Sequence, residues 1–284
     1  MTKEKFNIYE LVTNKIIEKL EQGVVPWKKP WNSSNGPAVN WKTQTPYRGI
    51  NVMLLEPGEY LTFKQAQEAG GKVKKGAQSE IVVFWKWIEK ENEETGETEK
   101  IPFLKYYRVF NINQCEGIVS KRNEKIETYE HDPIEEVENI INGYINKPSL
   151  SWERTGAWYK PSIDLVNVPP LSDFPKAEEY AQTMFHELIH SSGHVSRLNR
   201  DEITGTHKFG SMDYSREELV AEIGGSMLAA VTGIDNVTFD NSASYIQNWL
   251  NVLKNDKKMI VKAGAQAQKA VDYILGVSYK ESNK

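Results

Sequence analysis

Residues 186 to 194 read His-Glu-Leu-Ile-His-Ser-Ser-Gly-His, and three of the chain's five histidines fall in these nine positions. The spacing is H-E-x-x-H. On a helix, positions i and i+4 stand one above the other on one face. His186 and His190 can therefore present two imidazole nitrogens to one Zn2+, with Glu187 beside them as a general base that takes a proton from water.

The pattern needs a helix to carry it, and the preceding residues supply one. Ala177, Tyr180, Ala181, Met184, Phe185, Leu188 and Ile189 repeat at helical spacing and form an apolar stripe. Pro175 suits the entry of a helix and Gly193 its end. Histidines at a helix end can also simply complement its dipole. That explanation accounts for neither Glu187 nor the repeated spacing.

A catalytic zinc site takes three protein ligands and leaves a fourth position open. The run Tyr214-Ser-Arg-Glu-Glu-Leu-Val-Ala-Glu-Ile-Gly-Gly-Ser-Met-Leu228 is the best downstream supplier. It reads as a second helix capped by Ser215, with Glu218 at the capping-box position. Glu218 and Glu222 share one face of it. Glu218 is expected as third ligand and Glu222 as the carboxylate that orients a ligand histidine. The reverse assignment is the alternative, and a solvent-facing pair the plain structural one. Gly224 and Gly225 would let this helix approach the first closely. His194 and His207 are rivals for third ligand. In third-histidine zinc sites that residue stands six positions after the second His, where this chain has Ser196. Tyr214 or His194 could steady an oxyanion.

Length and composition frame these motifs. A chain of 284 residues is long enough for two domains. Charged residues make up 26% and mean hydropathy is −0.57. No apolar run approaches the roughly 18 residues of a membrane span, so no membrane partner is expected. The first residues lack an apolar signal core. Cys115 is the single cysteine, which excludes an intramolecular disulfide and fits a reducing cytoplasm.

Charge is uneven. Residues 1–128 carry 20 Lys+Arg against 17 Asp+Glu, and the remainder 15 against 22. Six of the acids in the first part lie in residues 89–100, which read as a solvated hairpin tip. The body left behind is basic and rich in aromatics. Pro26-Trp-Lys-Lys-Pro-Trp31, Trp41-Lys42 and Tyr47-Arg48 are followed by the strands Ile81–Ile88 and Lys105–Ile112. Bases interleaved with rings suit single-stranded DNA, because cations track phosphates while rings stack on unpaired bases. Lys28, Lys29, Lys42 and Arg48 are the phosphate candidates, and Trp27, Trp41 and Tyr47 the stacking candidates. Composition alone favours the plainer alternative, in which these rings are the core of a small domain. Residues 121–135 read as a linker.

Taken in order, these motifs resemble the ArdC-type antirestriction family. Pro26–Trp31, Tyr47-Arg-Gly-Ile-Asn51 and Lys105-Tyr-Tyr-Arg-Val-Phe-Asn111 resemble its single-stranded-DNA-binding domain. Phe185-His-Glu-Leu-Ile-His190, Gly193-His194, Arg197-Leu-Asn-Arg200 and Glu217-Glu-Leu-Val-Ala-Glu-Ile-Gly224 resemble its zincin-like metallopeptidase domain. The resemblance covers about residues 4 to 275. It implies a protein of a mobile element, carried through conjugation or phage transfer, that protects incoming DNA from host restriction. It makes single-stranded DNA binding the favoured reading. The expected fold is α+β: an ssDNA-binding domain over 1–128, with helices on an antiparallel sheet, and a zincin-like domain over 129–284, with a mixed sheet over the two ligand-bearing helices. Two functions compete. One is a zinc peptidase acting on a protein substrate at DNA. The other is a DNA-coating protein whose zinc site is structural or vestigial.

Overall fold

The computed structural model describes residues 7–28, 37–91, 98–122, 132–205, 212–234 and 243–277. The chain forms two compact units, and they are not simple halves. Among the described residues the first holds 7–16, 37–91 and 98–122, and the second holds 17–28 and everything from 132 onward. The N-terminal segment 17–28 thus groups with the second unit rather than with the residues that follow it.

The chain opens with helix α1 (Ile8–Glu21), with Gly23 beyond it at φ 79. The first unit then runs β1 (Val39–Asn40), α2 (Ile50–Leu54), β2 (Glu59–Leu61), α3 (Phe63–Glu68), β3 (Lys72–Val73), β4 (Glu80–Glu91), β5 (Thr98–Asn111) and β6 (Cys115–Glu116). Its main sheet has the order β1-β2-β5-β4. The β2–β5 and β4–β5 pairs are antiparallel as expected, but β1 lies parallel to β2. Helix α3 is held at its start by a capping box between Thr62 and Gln65. Val82 and Val109 pack with Tyr47, Leu55 and Tyr60 in one cluster on the sheet. Cys115 is buried beside Leu61 and Ala66.

The second unit adds α4 (Pro133–Gly143), β7 (Ser149–Ser151), β8 (Trp158–Lys160), β9 (Leu165–Asn167), α5 (Ala177–Ser192), α6 (Asp201–Thr204), α7 (Met212–Val231), α8 (Ala243–Asn255) and α9 (Met259–Ile274). The mixed sheet expected here has the order β7-β9-β8, with β7 parallel and β8 antiparallel to β9. It packs on α5. Helix α5 packs in turn on α7, and α9 backs both. Met184, Phe185, Leu188, Ile189, Leu219, Val220 and Ile223 are buried to within 1% exposure, so the α5–α7 contact is the centre of the core.

Helix α7 starts three residues before Ser215, so Ser215 lies inside the helix and does not cap it. The glycines behave as their spacing suggested. A Cβ on Gly224 would sit 2.7 Å from Ile189 Cδ1, and one on Gly225 would sit 3.4 Å from the His186 backbone nitrogen. The two helices therefore cross at the first ligand histidine. No helix among the described residues is long and apolar enough to cross a membrane.

Candidate metal centre

Helix α5 brings His186 and His190 together one turn apart, with their Nε2 atoms 3.1 Å from each other. Helix α7 brings Glu218 to the same point. Its carboxylate oxygens lie 3.5 Å from His186 Nε2 and 3.7 Å from His190 Nε2. These three residues are the single group of His, Cys, Asp or Glu able to hold a metal ion among the described residues, with donor atoms all within 4.8 Å. Two imidazoles and a carboxylate fit a divalent ion with an open position. The charges agree. The His186 pKa would fall on burial but is raised overall by Glu218, Glu187 and Glu222. Burial pushes the Glu218 carboxyl up, but His186, His190 and Tyr214 hold it below the ordinary range.

Glu187 is only 7% exposed. Burial raises its pKa against the pull of His190 and His186. Tyr214 hydrogen-bonds to Glu218, and its hydroxyl is pushed up to about 12, first by burial and then by the Glu218 and Glu187 charges. It keeps its proton and remains a donor.

The carboxylate that meets His190 is Glu217, a residue the sequence did not single out. Glu217 Oε1 lies 3.1 Å from His190 Nδ1. A carboxylate can only accept, so the His190 proton sits on Nδ1 and Nε2 is left as the metal-facing lone pair. Glu217 is itself clamped by Arg200, with Nε to Oε2 at 2.9 Å and Nη2 to Oε1 at 2.6 Å. The same guanidinium donates to Ser192 Oγ and to the Ile189 carbonyl at the end of α5. Gly193 makes room for it: a Cβ there would lie 2.9 Å from the guanidinium carbon. Glu222 instead acts on Tyr245 and, through its charge, on His186. The sequence pointed to the 218/222 pair because those two share a helix face. The overlooked signal was Glu217 next to Glu218 at the head of an apolar run, with Arg200 as a buried partner.

Of the other rivals, His194 falls outside this group. His194 Nδ1 bonds to Ser196 within its own turn. His207 lies outside the described residues. In the sheet, β9 is central and β7 and β8 are the edges.

The DNA-binding candidates scatter. Trp27 is fully buried in the second unit, edge-on to Trp249 at 5.8 Å and donating to the Tyr245 hydroxyl at 3.3 Å, so it has no face for a base. Tyr47 is 8% exposed inside the first unit's core and is likewise withdrawn. Trp41 is half-buried, with its indole bonded to the Val119 carbonyl and Lys121 Nζ 4.2 Å over its ring. Lys42 is exposed and paired with Glu68 at 3.3 Å. Arg48 is half-buried and already has an interaction of its own. The Lys28 side chain and Lys29 lie outside the described residues.

Similarity to known proteins follows the same two-part plan. Residues 6–110 match the family model for the N-terminal domain of anti-restriction factor ArdC, and residues 135–266 that of a zincin-like metallopeptidase. The metal-free crystal structure of antirestriction ArdC protein from the R388 plasmid superposes with a TM-score of 0.73 at 34% identity, over 96% of this chain and 100% of that one. The chain belongs to the ArdC-type antirestriction family. The Mn(II)-bound structure of the same ArdC protein matches with a TM-score of 0.75 at 34% identity, over 95% of this chain and 98% of that one. The uncharacterized protein y4eC of Sinorhizobium fredii is 31% identical over 94% of this chain and 91% of its own length. The DNA primase TraC of Escherichia coli is 31% identical over 96% of this chain, and a second TraC is 32% identical over 99%. The chain spans only 20% and 28% of those two proteins.

Proposed function

We propose that this chain is an antirestriction protein of a mobile element that binds single-stranded DNA and hydrolyses a peptide bond at a Zn2+ site. The observation that carries the enzymatic half is Glu187, buried beside His186, His190 and Glu218. A structural metal site needs no such carboxylate. His186, His190 and Glu218 would hold the ion, which when bound supplies Lewis acidity and acidifies water. Glu187 then takes the proton of the attacking water and returns it to the leaving amine. Tyr214, which keeps its hydroxyl proton, would donate to the developing oxyanion. The exposed edge of β8 would align an extended substrate backbone by strand addition.

The DNA-binding half rests on the basic, aromatic first unit and on membership of the family. The R388 plasmid origin of the solved relative supports the mobile-element setting, and the single cysteine supports a reducing cytoplasm. The test compares wild type and Glu187→Ala for oligonucleotide binding, restriction protection and proteolysis. The reading expects loss of proteolysis with DNA binding intact. If Glu187→Ala matches wild type in all three, the chain is a DNA-coating protein and its metal site is structural.

A further inference from the structure

The strands β4 and β5 pair antiparallel with Val82 opposite Tyr107, Phe84 opposite Lys105 and Lys86 opposite Phe103. Side chains directly opposite share a face. Val82, Phe84, Lys86, Phe103, Lys105 and Tyr107 therefore form one strip along the hairpin. At one end the strip is core: Val82 is 1% exposed and Tyr107 packs against its cluster. Further along it leaves the core. Phe84 is 42% and Phe103 48% exposed, and Lys86 and Lys105 are exposed between them. Phe84 is braced from behind by Tyr107 at 5.9 Å and by Tyr47 at 6.4 Å. Lys105 Nζ lies 5.3 Å over the Tyr107 ring. Positions 84–86 and 103–108 hold Lys86, Lys105 and Arg108 and no acid.

An exposed ring is a cost unless something covers it. This strip alternates rings with cations, and no carboxylate is interspersed. A protein partner with an ordinary apolar patch would leave both lysines desolvated. A polyanion with flat apolar groups satisfies both components. Only unpaired bases expose their faces while their phosphates stay within reach of adjacent cations.

We infer that single-stranded nucleic acid binds along this face of the β4–β5 hairpin, with Phe84 and Phe103 stacking on bases and Lys86 and Lys105 contacting phosphates. The inference rests on the single-stranded DNA reading above. It moves the contact from the residues singled out in the sequence to the hairpin, where neither Trp27 nor Tyr47 takes part.

The experiment titrates the full-length chain with a fluorescein-labelled oligo-dT across a salt series, read by anisotropy. Phe84→Ala/Phe103→Ala should weaken binding about 5- to 150-fold per stacked ring. Lys86→Gln/Lys105→Gln should reduce the steepness of the log–log salt plot by about 0.7 for each phosphate lost. Phe84→Trp should retain affinity, which guards against a fold defect in the alanine variant. If wild type binds and both double variants bind equally well with an unchanged salt slope, the hairpin inference fails while the DNA reading stands. If wild type does not bind at low salt, both fail. If the variants change only self-association, the face is an interface between copies and the inference is overturned.

Discussion

Glu217 Oε1 stands 3.1 Å from His190 Nδ1, and both residues are at least nine-tenths buried, Glu217 at 4% and His190 at 8% exposed. The bond fixes the tautomer of one ligand and ties α7 to α5 at the metal centre. Burial would raise the Glu217 carboxyl, but His190 and Arg200 keep it below its ordinary range, so it is ionised in the folded protein. Glu217→Gln keeps the shape but loses the charge that orients His190. Metal affinity should fall about 10- to 100-fold by calorimetric titration, with the fold intact. Glu217→Ala removes one partner of a buried pair and leaves the Arg200 charge uncompensated. It should lower unfolding stability by about 3–5 kcal/mol. An unchanged metal affinity in Glu217→Gln would remove the positioning role.

The ligand set and the base are separable by substitution. His186→Ala and Glu218→Ala should each abolish stoichiometric retention of metal after dialysis, because each removes a donor from the three-residue group. Glu187→Ala should retain the metal, since the proposed role of Glu187 is toward water. Glu222→Ala should retain it as well, with at most a modest loss, because Glu222 is not one of the three donor residues and its charge acts on His186. Elemental analysis of the four purified variants decides the assignment. Retention in Glu218→Ala together with loss in Glu222→Ala would exchange their roles.

The helix crossing makes a sharp prediction at neighbouring glycines. A methyl on Gly224 would meet three atoms of the buried Ile189 side chain at 2.7 to 3.1 Å, and Ile189 has no room to yield. Gly224→Ala should destabilise by about 1–3 kcal/mol as an overpacked core. A methyl on Gly225 meets the backbone of His186 at 3.4 Å or more. Helix propensity favours alanine over glycine by about 0.8–1 kcal/mol, so Gly225→Ala should be neutral or mildly stabilising. Denaturant melts of the two variants should move in different directions.

Much of the metal half could be read directly from residue order. The apolar stripe from Ala177 to Ile189, with Gly193 as the stop, set α5, because a buried face at period 3.6 leaves a strong pattern. His186 and His190 followed from helix geometry alone. Choosing among Glu217, Glu218 and Glu222 was different. Glu218 and Glu222 share a face of α7 and Glu217 is turned away from it, and the crossing with α5 decides which one meets which histidine nitrogen. Helices α8 and α9 gave no clear reading. Much of the buried face of α9 is Ala263, Gly264, Ala267 and Ala270, small residues that barely register as hydrophobic. Trp27 and Tyr47 carried the right composition for stacking, but composition does not say which surface a ring faces.

Trp27 is the clearest test of that last point. Its ring is wholly buried against Trp249, and its N–H is met by Tyr245. Trp27→Ala should therefore cost about 3–5 kcal/mol of stability as a core truncation. Because residues 17–28 belong to the second unit, the loss should appear in the unfolding of the metal-binding half. A chain lacking residues 1–28 should show the same defect. Wild-type stability in Trp27→Ala, combined with weakened oligonucleotide binding, would restore Trp27 as a DNA contact.

Glu59 predicts the acid limb of stability. It is 2% exposed on β2. Burial pushes its carboxyl up, but Ser120, Gln44 and the Lys121 backbone all donate to it and Arg122 adds its charge, so the net shift is downward. Gln44 Nε2 lies at 2.8 Å and the Lys121 amide at 3.1 Å, both from Oε1. A depressed folded pKa means that the unfolded chain takes up this proton first. The stabilisation is complete above the ordinary glutamate value of about 4.3 and is lost as pH falls through the lower folded value. Glu59→Gln cannot titrate, and its amide places a donor where the network supplies only donors. It should be less stable than wild type at pH 7 by about 1–3 kcal/mol. The gap should close as the pH drops below about 4, because wild type alone loses this contribution. Chemical denaturation of both proteins from pH 7 to pH 3 measures the gap directly. A constant difference across that range would mean that Glu59 keeps the same proton in the folded and unfolded chain, and the network around it would then be a matter of packing alone.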